Sequence, residues 1–219
     1  MVGMLESWAW RLVAARRGSP PTLPVTGHGY RLVGGPVVVT RLLMVPASTV
    51  ALLLTAGRPV ELRGPGEVLA PPLFGPTADQ PAVLVVSTAP VDLDVTVVDG
   101  LTFDGYPLES VRLRLRVELD QRDGLADLRR LAGSHGAGLE AALLAAVQRE
   151  VAAAVRGAVR MNRLADLRRL TLTEVLRSRW WPTTFADGAL HCSKFEVRHV
   201  GWPGSSSDEP TVPIPVPAP

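Results

Sequence analysis

Val91-Asp92-Leu93-Asp94-Val95-Thr96-Val97 and Val111-Arg112-Leu113-Arg114-Leu115-Arg116-Val117-Glu118-Leu119 decide the fold class of this 219-residue chain. Apolar residues hold every second position in both stretches. Successive side chains of a strand point to opposite faces, so each reads as a half-buried β-strand. Thr102-Phe103-Asp104-Gly105 lies between them and supplies the turn. A two-residue loop at Asp104-Gly105 sets Phe103 against Tyr106, and that register carries Leu93 opposite Arg116, mixing apolar and charged residues on one face. One extra residue restores the match. Asp99-Gly100 is the expected place for such a bulge, after which Asp92 and Asp94 face the arginine row as cross-strand partners.

Upstream, apolar runs are cut by turn residues: Val37 to Met44, Thr49 to Thr55, Val60 to Leu62 and Val83 to Val86, with Arg58-Pro59 and Gly64-Pro65-Gly66 between them. These predict a small β-rich unit. Downstream the period becomes helical. Leu125, Leu128 and Leu131 fit a short helix, Gly133 to Gly138 a loop, and Leu139 to Met161 a long helix. An apolar stripe of Leu144, Val147, Val151, Val155 and Ala158 is expected on that helix, with Arg149, Arg156, Arg160 and Arg163 on the other side. Thr171 and Glu174 have capping-box spacing and open another helix that stops before Pro182. A last strand is expected over Leu190 to Val200.

The termini read differently. Met1 to Arg17 spaces Leu5, Trp8, Leu12 and Ala15 as an amphipathic helix carrying Arg11, Arg16 and Arg17. It is either an interfacial membrane foot or a helix docked on its own domain. In the first reading Trp8, Trp10, Leu12, Arg11, Arg16 and Arg17 touch lipid. Residues 18–36 read as a Pro/Gly-rich linker. Its glycines are not a phosphate loop, because no Gly-Lys-Ser/Thr follows. Residues 204–219 read as a disordered Ser/Pro-rich tail.

Composition narrows the function classes. Hydrophobic residues make up 47% of the chain, and the formal net charge is only +2. That predicts a packed core without the broad positive field of a nucleic-acid binder, so no nucleic-acid partner is expected. One cysteine, Cys192, forbids an internal disulfide and suits a reducing cytoplasm. No run of ~18 apolar residues predicts a spanning helix.

Asp92-Leu93-Asp94-Val95-Thr96 spells the nucleophile sequence of haloacid-dehalogenase-type phosphatases. Alternation runs straight through it, however, and Lys194 is the single lysine, so a solvated strand face is the better reading. The same acids begin a calcium-loop pattern that fails at Val97 and Phe103. His191, Cys192 and His199 lie along one strand with the histidines too far apart for one ion. Cys192 reads as a small buried hydrophobe. No catalytic, cofactor or metal residue is expected.

The ordered succession Val45-Pro46, Val50-Ala51-Leu52-Leu53-Leu54, Gly57-Arg58-Pro59, Gly64-Pro65-Gly66, Pro71-Pro72, Thr102-Phe103-Asp104-Gly105, Val147-Gln148-Arg149-Glu150-Val151 and Leu170-Thr171-Leu172-Thr173-Glu174-Val175-Leu176 resembles the SPFH (stomatin, prohibitin, flotillin; band 7) family over about residues 37 to 203. The resemblance implies an α+β fold. A β-rich first subdomain would span 37–88, and a second, 89–203, would hold a mixed sheet with the long helix. It further implies a non-enzymatic, self-assembling scaffold that organises lipid domains or partner proteins such as a membrane protease. The expected location is the cytoplasm, peripheral on the inner face of the cell membrane, with a homo-oligomer and an anionic lipid surface as partners. Arg112, Arg114, Arg116, Arg149, Arg156 and Arg160 are the expected protomer contacts. A soluble adaptor binding one protein partner, with the tail as ligand or spacer, is the alternative.

Overall fold

The computed structural model describes residues 32–55, 58–71, 82–120 and 124–203. It is a mixed α+β structure with two four-stranded antiparallel sheets. The first sheet has the order β1-β6-β3-β4, from strands β1 (Val33–Val38), β6 (Ala82–Ser87), β3 (Thr49–Thr55) and β4 (Arg58–Arg63). The second runs β7-β8-β10-β9, from β7 (Val91–Leu101), β8 (Pro107–Leu119), β10 (Leu190–Gly201) and β9 (Thr184–Phe185). A two-stranded ribbon, β2 (Leu43–Met44) with β5 (Val68–Leu69), lies against the first sheet.

The sequence pattern of each sheet follows from what covers it. Val50, Leu52, Leu54, Leu84 and Val86 enter the main core, which they share with the second sheet and the helices. Their alternates Ala51, Val83 and Val85 pack with Leu43, Val45 and Leu69 of the ribbon. Both faces are therefore dry at the two central strands, and β3 and β6 read as continuous apolar runs. In the second sheet Val95, Val97, Val111, Leu113, Leu115 and Val117 are buried, while their neighbours face solvent. One wet face produces the strict alternation.

Strand β1 begins inside the stretch expected to be linker. Gly34-Gly35-Pro36 makes an irregularity in the ladder with β6. Gly35 has φ +111°, and a Cβ there would meet the Val83 carbonyl oxygen at 2.6 Å. Only glycine fits, so the residues that looked like a linker form a bulge in a strand. The run expected over Val37 to Met44 is likewise divided, with 39–42 joining β1 to β2.

Helix α1 (Gly124–His135) continues through the residues expected to open a loop, and a 3-10 turn at Gly136–Gly138 joins it to α2 (Leu139–Arg160). The long helix packs along β7. Leu143, Val147, Val151 and Val155 are each at most 1% exposed, and burial of such side chains stabilises by ~1.5–3 kcal/mol apiece. The expected stripe is corrected at its start: Leu144 is 40% exposed and Leu143 is the core residue. Positions 143, 147, 151 and 155 run four apart, as a single helix face requires.

Helix α3 (Leu164–Arg169) follows, then α4 (Leu172–Val175), opened by the Thr171–Glu174 capping box. The α4 helix passes into a π turn over Leu176–Trp180 before Pro182. Trp181 then stacks on Phe195 at 3.9 Å between ring centroids and meets Phe185 edge-on. This fastens the segment after the π turn to β10.

Candidate functional site

The β7–β8 hairpin builds two surfaces, a charged sheet face and an apolar tip. Its register sets Asp92 opposite Arg116, Leu93 opposite Leu115, Asp94 opposite Arg114 and Thr96 opposite Arg112. The acidic and basic columns are therefore cross-strand neighbours, as expected, but the extra residue sits elsewhere. Register is unchanged from Val98↔Ser110 to Gly100↔Leu108, so Asp99-Gly100 inserts nothing, although Asp99 has φ +61°. The extra residue is in the turn. Gly105 N–H donates to Thr102 O at 3.0 Å, Thr102 N–H donates to Tyr106 O at 2.9 Å, and Gly105 has φ +82°. This is a three-residue loop closed by a left-handed glycine, not the two-residue loop.

On the solvent face Arg114 Nη2 donates to Asp92 Oδ2 at 3.1 Å, with both side chains more than a third exposed, which limits the pair to ~1 kcal/mol or less. On the β10 side, Glu196 lies opposite Arg114 and pairs with Arg198 at 3.2 Å, whereas Lys194 lies opposite Arg116 and His199 opposite Arg112. A shallow groove of about 190 Å³ runs between Asp92, Arg114, Arg116, Lys194 and Glu196. Arg116 and Lys194 are facing like charges, and Asp92, opposite Arg116 on the other side, lines the same groove.

The tip is exposed and apolar, with Leu101, Phe103 and Tyr106 at 59%, 67% and 53% exposure. It is nevertheless fixed. Phe103 N–H donates to Asn162 O at 2.9 Å, and the Asp104 carboxylate accepts from Leu164 N–H at 3.1 Å. Helix α3 has no capping side chain of its own at Arg163, and Asp104 supplies one from 60 residues away. Hydrogen bonding with Thr102, then the Leu164 amide and the Arg163 guanidinium, holds the Asp104 carboxyl below the ordinary aspartate range. The Arg163 guanidinium lies 5.9 Å from the Phe103 ring centre. Between this tip and the end of α2 lies an open groove of about 740 Å³, lined by Leu101, Phe103, Pro107, Leu108, Arg156 and Arg160.

The expected arginine contacts divide among these surfaces. Arg112, Arg114 and Arg116 share the charged face. Arg156 is bound inside the chain, where its guanidinium donates to Val98 O at 3.0 Å and Asp99 O at 3.1 Å. Gln148 Nε2 donates to Thr96 O at 2.7 Å. Helix α2 thus satisfies carbonyls along the outer edge of β7. Arg149 approaches Glu150 at 3.8 Å, and Glu150 Oε1 accepts from Ala186 N–H at 3.2 Å in the β9–β10 turn. Arg160 is exposed beside the groove. The expected membrane contacts, Trp8, Trp10, Leu12, Arg11, Arg16 and Arg17, lie outside the described residues, as do the 1–17 helix and the 204–219 tail.

The rejected chemical motifs take ordinary structural places. Asp92, Asp94 and Thr96 lie on a sheet face against arginines. His191 and His199 pair with Glu118 and Arg112, six β8 positions apart, which is about 20 Å. Among the described residues no three His, Cys, Asp or Glu side chains form a group able to hold a metal ion. Burial pushes the Cys192 thiol up, and its Sγ donates to Lys194 O at 3.4 Å. Among the described residues no helix is long and apolar enough to cross a membrane.

Sequence reasoning missed the clasp formed by Asp104 and Asn162 and the two edge contacts from α2. Each joins residues more than 50 positions apart, and polar residues at helix and turn positions carry no mark of a distant partner. Comparison with protein-family models gives no match, and comparison with curated protein sequences gives no significant match.

Proposed function

We propose that the chain is a non-enzymatic scaffold of the SPFH type that self-associates and organises lipid or protein partners at the cytoplasmic membrane face. The motif succession from Val45-Pro46 to Leu176 supports the family reading. The single observation that carries self-association is the charged face of the second sheet. An acidic column, Asp92 and Asp94, runs beside a basic one, Arg112, Arg114 and Arg116. A two-fold axis along the strands places the acidic column of one copy over the basic column of another, so the face is complementary to itself. The bonds from Gln148 and Arg156 occupy the β7 edge, which favours the face over edge-to-edge contact.

Sedimentation over a range of concentration and salt tests this reading. Association at low ionic strength, weakened by salt and by Arg112→Glu with Arg116→Glu, is the expected result. A monomer under every condition would remove the scaffold half. Flotation with anionic vesicles tests the membrane half. Equal recovery of the full chain and of a chain lacking residues 1–17 would take the contact away from Met1 to Arg17.

A further inference from the structure

We propose that the groove between the hairpin tip and helix α2 is a docking site for a proline-rich acidic segment, and that its occupant is this chain's own C-terminal stretch, Asp208 to Pro217. The groove joins an apolar side and a basic side. Its apolar side is Leu101, Phe103 and Pro107, with Leu101 and Phe103 more than half exposed, and its polar side is Arg156 and Arg160 at the end of α2. Arg156 is held in place by the Val98 and Asp99 carbonyls, so its charge is fixed at the groove wall; Asp99 lines the same wall, and the exposed Arg160 supplies the second cation. Asp104, at the tip, is engaged by the Leu164 amide.

The end of the described chain lies next to this site. Gly201 pairs with Ser110, and Ser110 pairs with Val98, whose carbonyl binds Arg156. Two strand spacings therefore separate Gly201 from the groove wall, about 10 Å. Trp202 packs against the main core, which fixes the point of departure. Residues 204–219 span up to ~50 Å if extended at ~3.1 Å per residue, several times what is needed.

The chemistry of that segment matches the site. Asp208 and Glu209 are its charged side chains, and both are acidic. They are followed by Pro210-Thr211-Val212-Pro213-Ile214-Pro215-Val216-Pro217. Proline fixes φ near −65°, so the segment loses little conformational freedom on docking, and polyproline II segments bind aromatic-lined grooves. The carboxylates would meet Arg160 and Arg156 while the Pro/Val/Ile run covers Phe103 and Leu101. This inference is independent of the scaffold reading.

A nitroxide on the full-length chain tests it, attached at Val216→Cys in a Cys192→Ser background, with relaxation of backbone amide signals as the readout. The expected result is enhancement concentrated on 101–107 and 156–161, severalfold above that at Lys194 to Glu196. It should be lost in Phe103→Ser and in Arg160→Glu, and regained when Arg160→Glu is combined with Asp208→Arg and Glu209→Arg. Arg160 is an exposed residue at a helix end, so its replacement leaves the core intact. Enhancement spread evenly over the surface, or unchanged by both single substitutions, overturns the site. Enhancement that grows with protein concentration overturns the intramolecular occupant by placing the tail on a second copy.

Discussion

Replacing Gly105 by alanine tests the hairpin geometry from which both surfaces follow. The residue has φ +82°, and a Cβ built there meets nothing within 4 Å. No neighbour opposes the added methyl, so the cost is the intrinsic one of placing an L-residue in the left-handed region, ~1–2 kcal/mol. Alanine also narrows the unfolded ensemble, which offsets ~0.4–1 kcal/mol. The net loss is then ~0–1.6 kcal/mol, or up to ~6 °C in Tm for a domain of this size. Asparagine tolerates the left-handed region better, so Gly105→Asn should lose distinctly less. Urea unfolding followed by circular dichroism and by tryptophan fluorescence measures both, with the slope m unchanged because the folded surface is the same. Alanine and asparagine variants of equal stability, or an alanine variant more stable than the parent, would refute the three-residue loop with its left-handed glycine.

Three other outcomes follow from packing and charge. Leu143→Ala should cost ~2–5 kcal/mol by opening the core, whereas Leu144→Ala, at a 40% exposed position, should cost well under that, as denaturant midpoints will show. The Asp104 carboxyl is held below its unfolded range, so its contribution is present above the ordinary aspartate range and lost as pH falls through the folded value. An acid titration of Asp104→Asn should therefore lack that part of the parent's acid sensitivity. Cys192, buried and with its thiol pushed up, should react with a thiol reagent far more slowly in the native protein than in urea; equal rates would contradict its burial.

Much of the fold was legible because periodicity reports the number of dry faces. Thr49–Thr55 is a strand at the expected bounds, and the alternation of Val111 to Leu119 marks its single wet face correctly. The capping box at Thr171 needs only residues three apart and was equally readable. Errors arose where one residue type serves two structures. Gly34-Gly35-Pro36 has linker composition and a strand bulge's geometry, and Asp104-Gly105 suits two-residue and three-residue loops alike. Leu143 and Leu144 are identical neighbours, and which one enters the core depends on where the helix begins. Of the candidate surfaces, the charged columns were visible as a pattern, while the groove was not. Its walls come from the hairpin and a helix some 50 residues later, brought together by the Gln148 and Arg156 bonds to β7 and by the clasp at Asn162 and Leu164.

The bonds that Gln148 and Arg156 send to Thr96 and Val98 also bear on how the protein fails. Carbonyls left bare along an outer strand can template the pairing of another chain. A partly unfolded form in which the long helix has lifted away would present that strand, rich in valine, uncovered. Aggregation during refolding should then be governed less by global stability than by how often this one helix detaches, and a Gln148→Ala, Arg156→Ala chain should precipitate faster than its melting temperature alone would suggest.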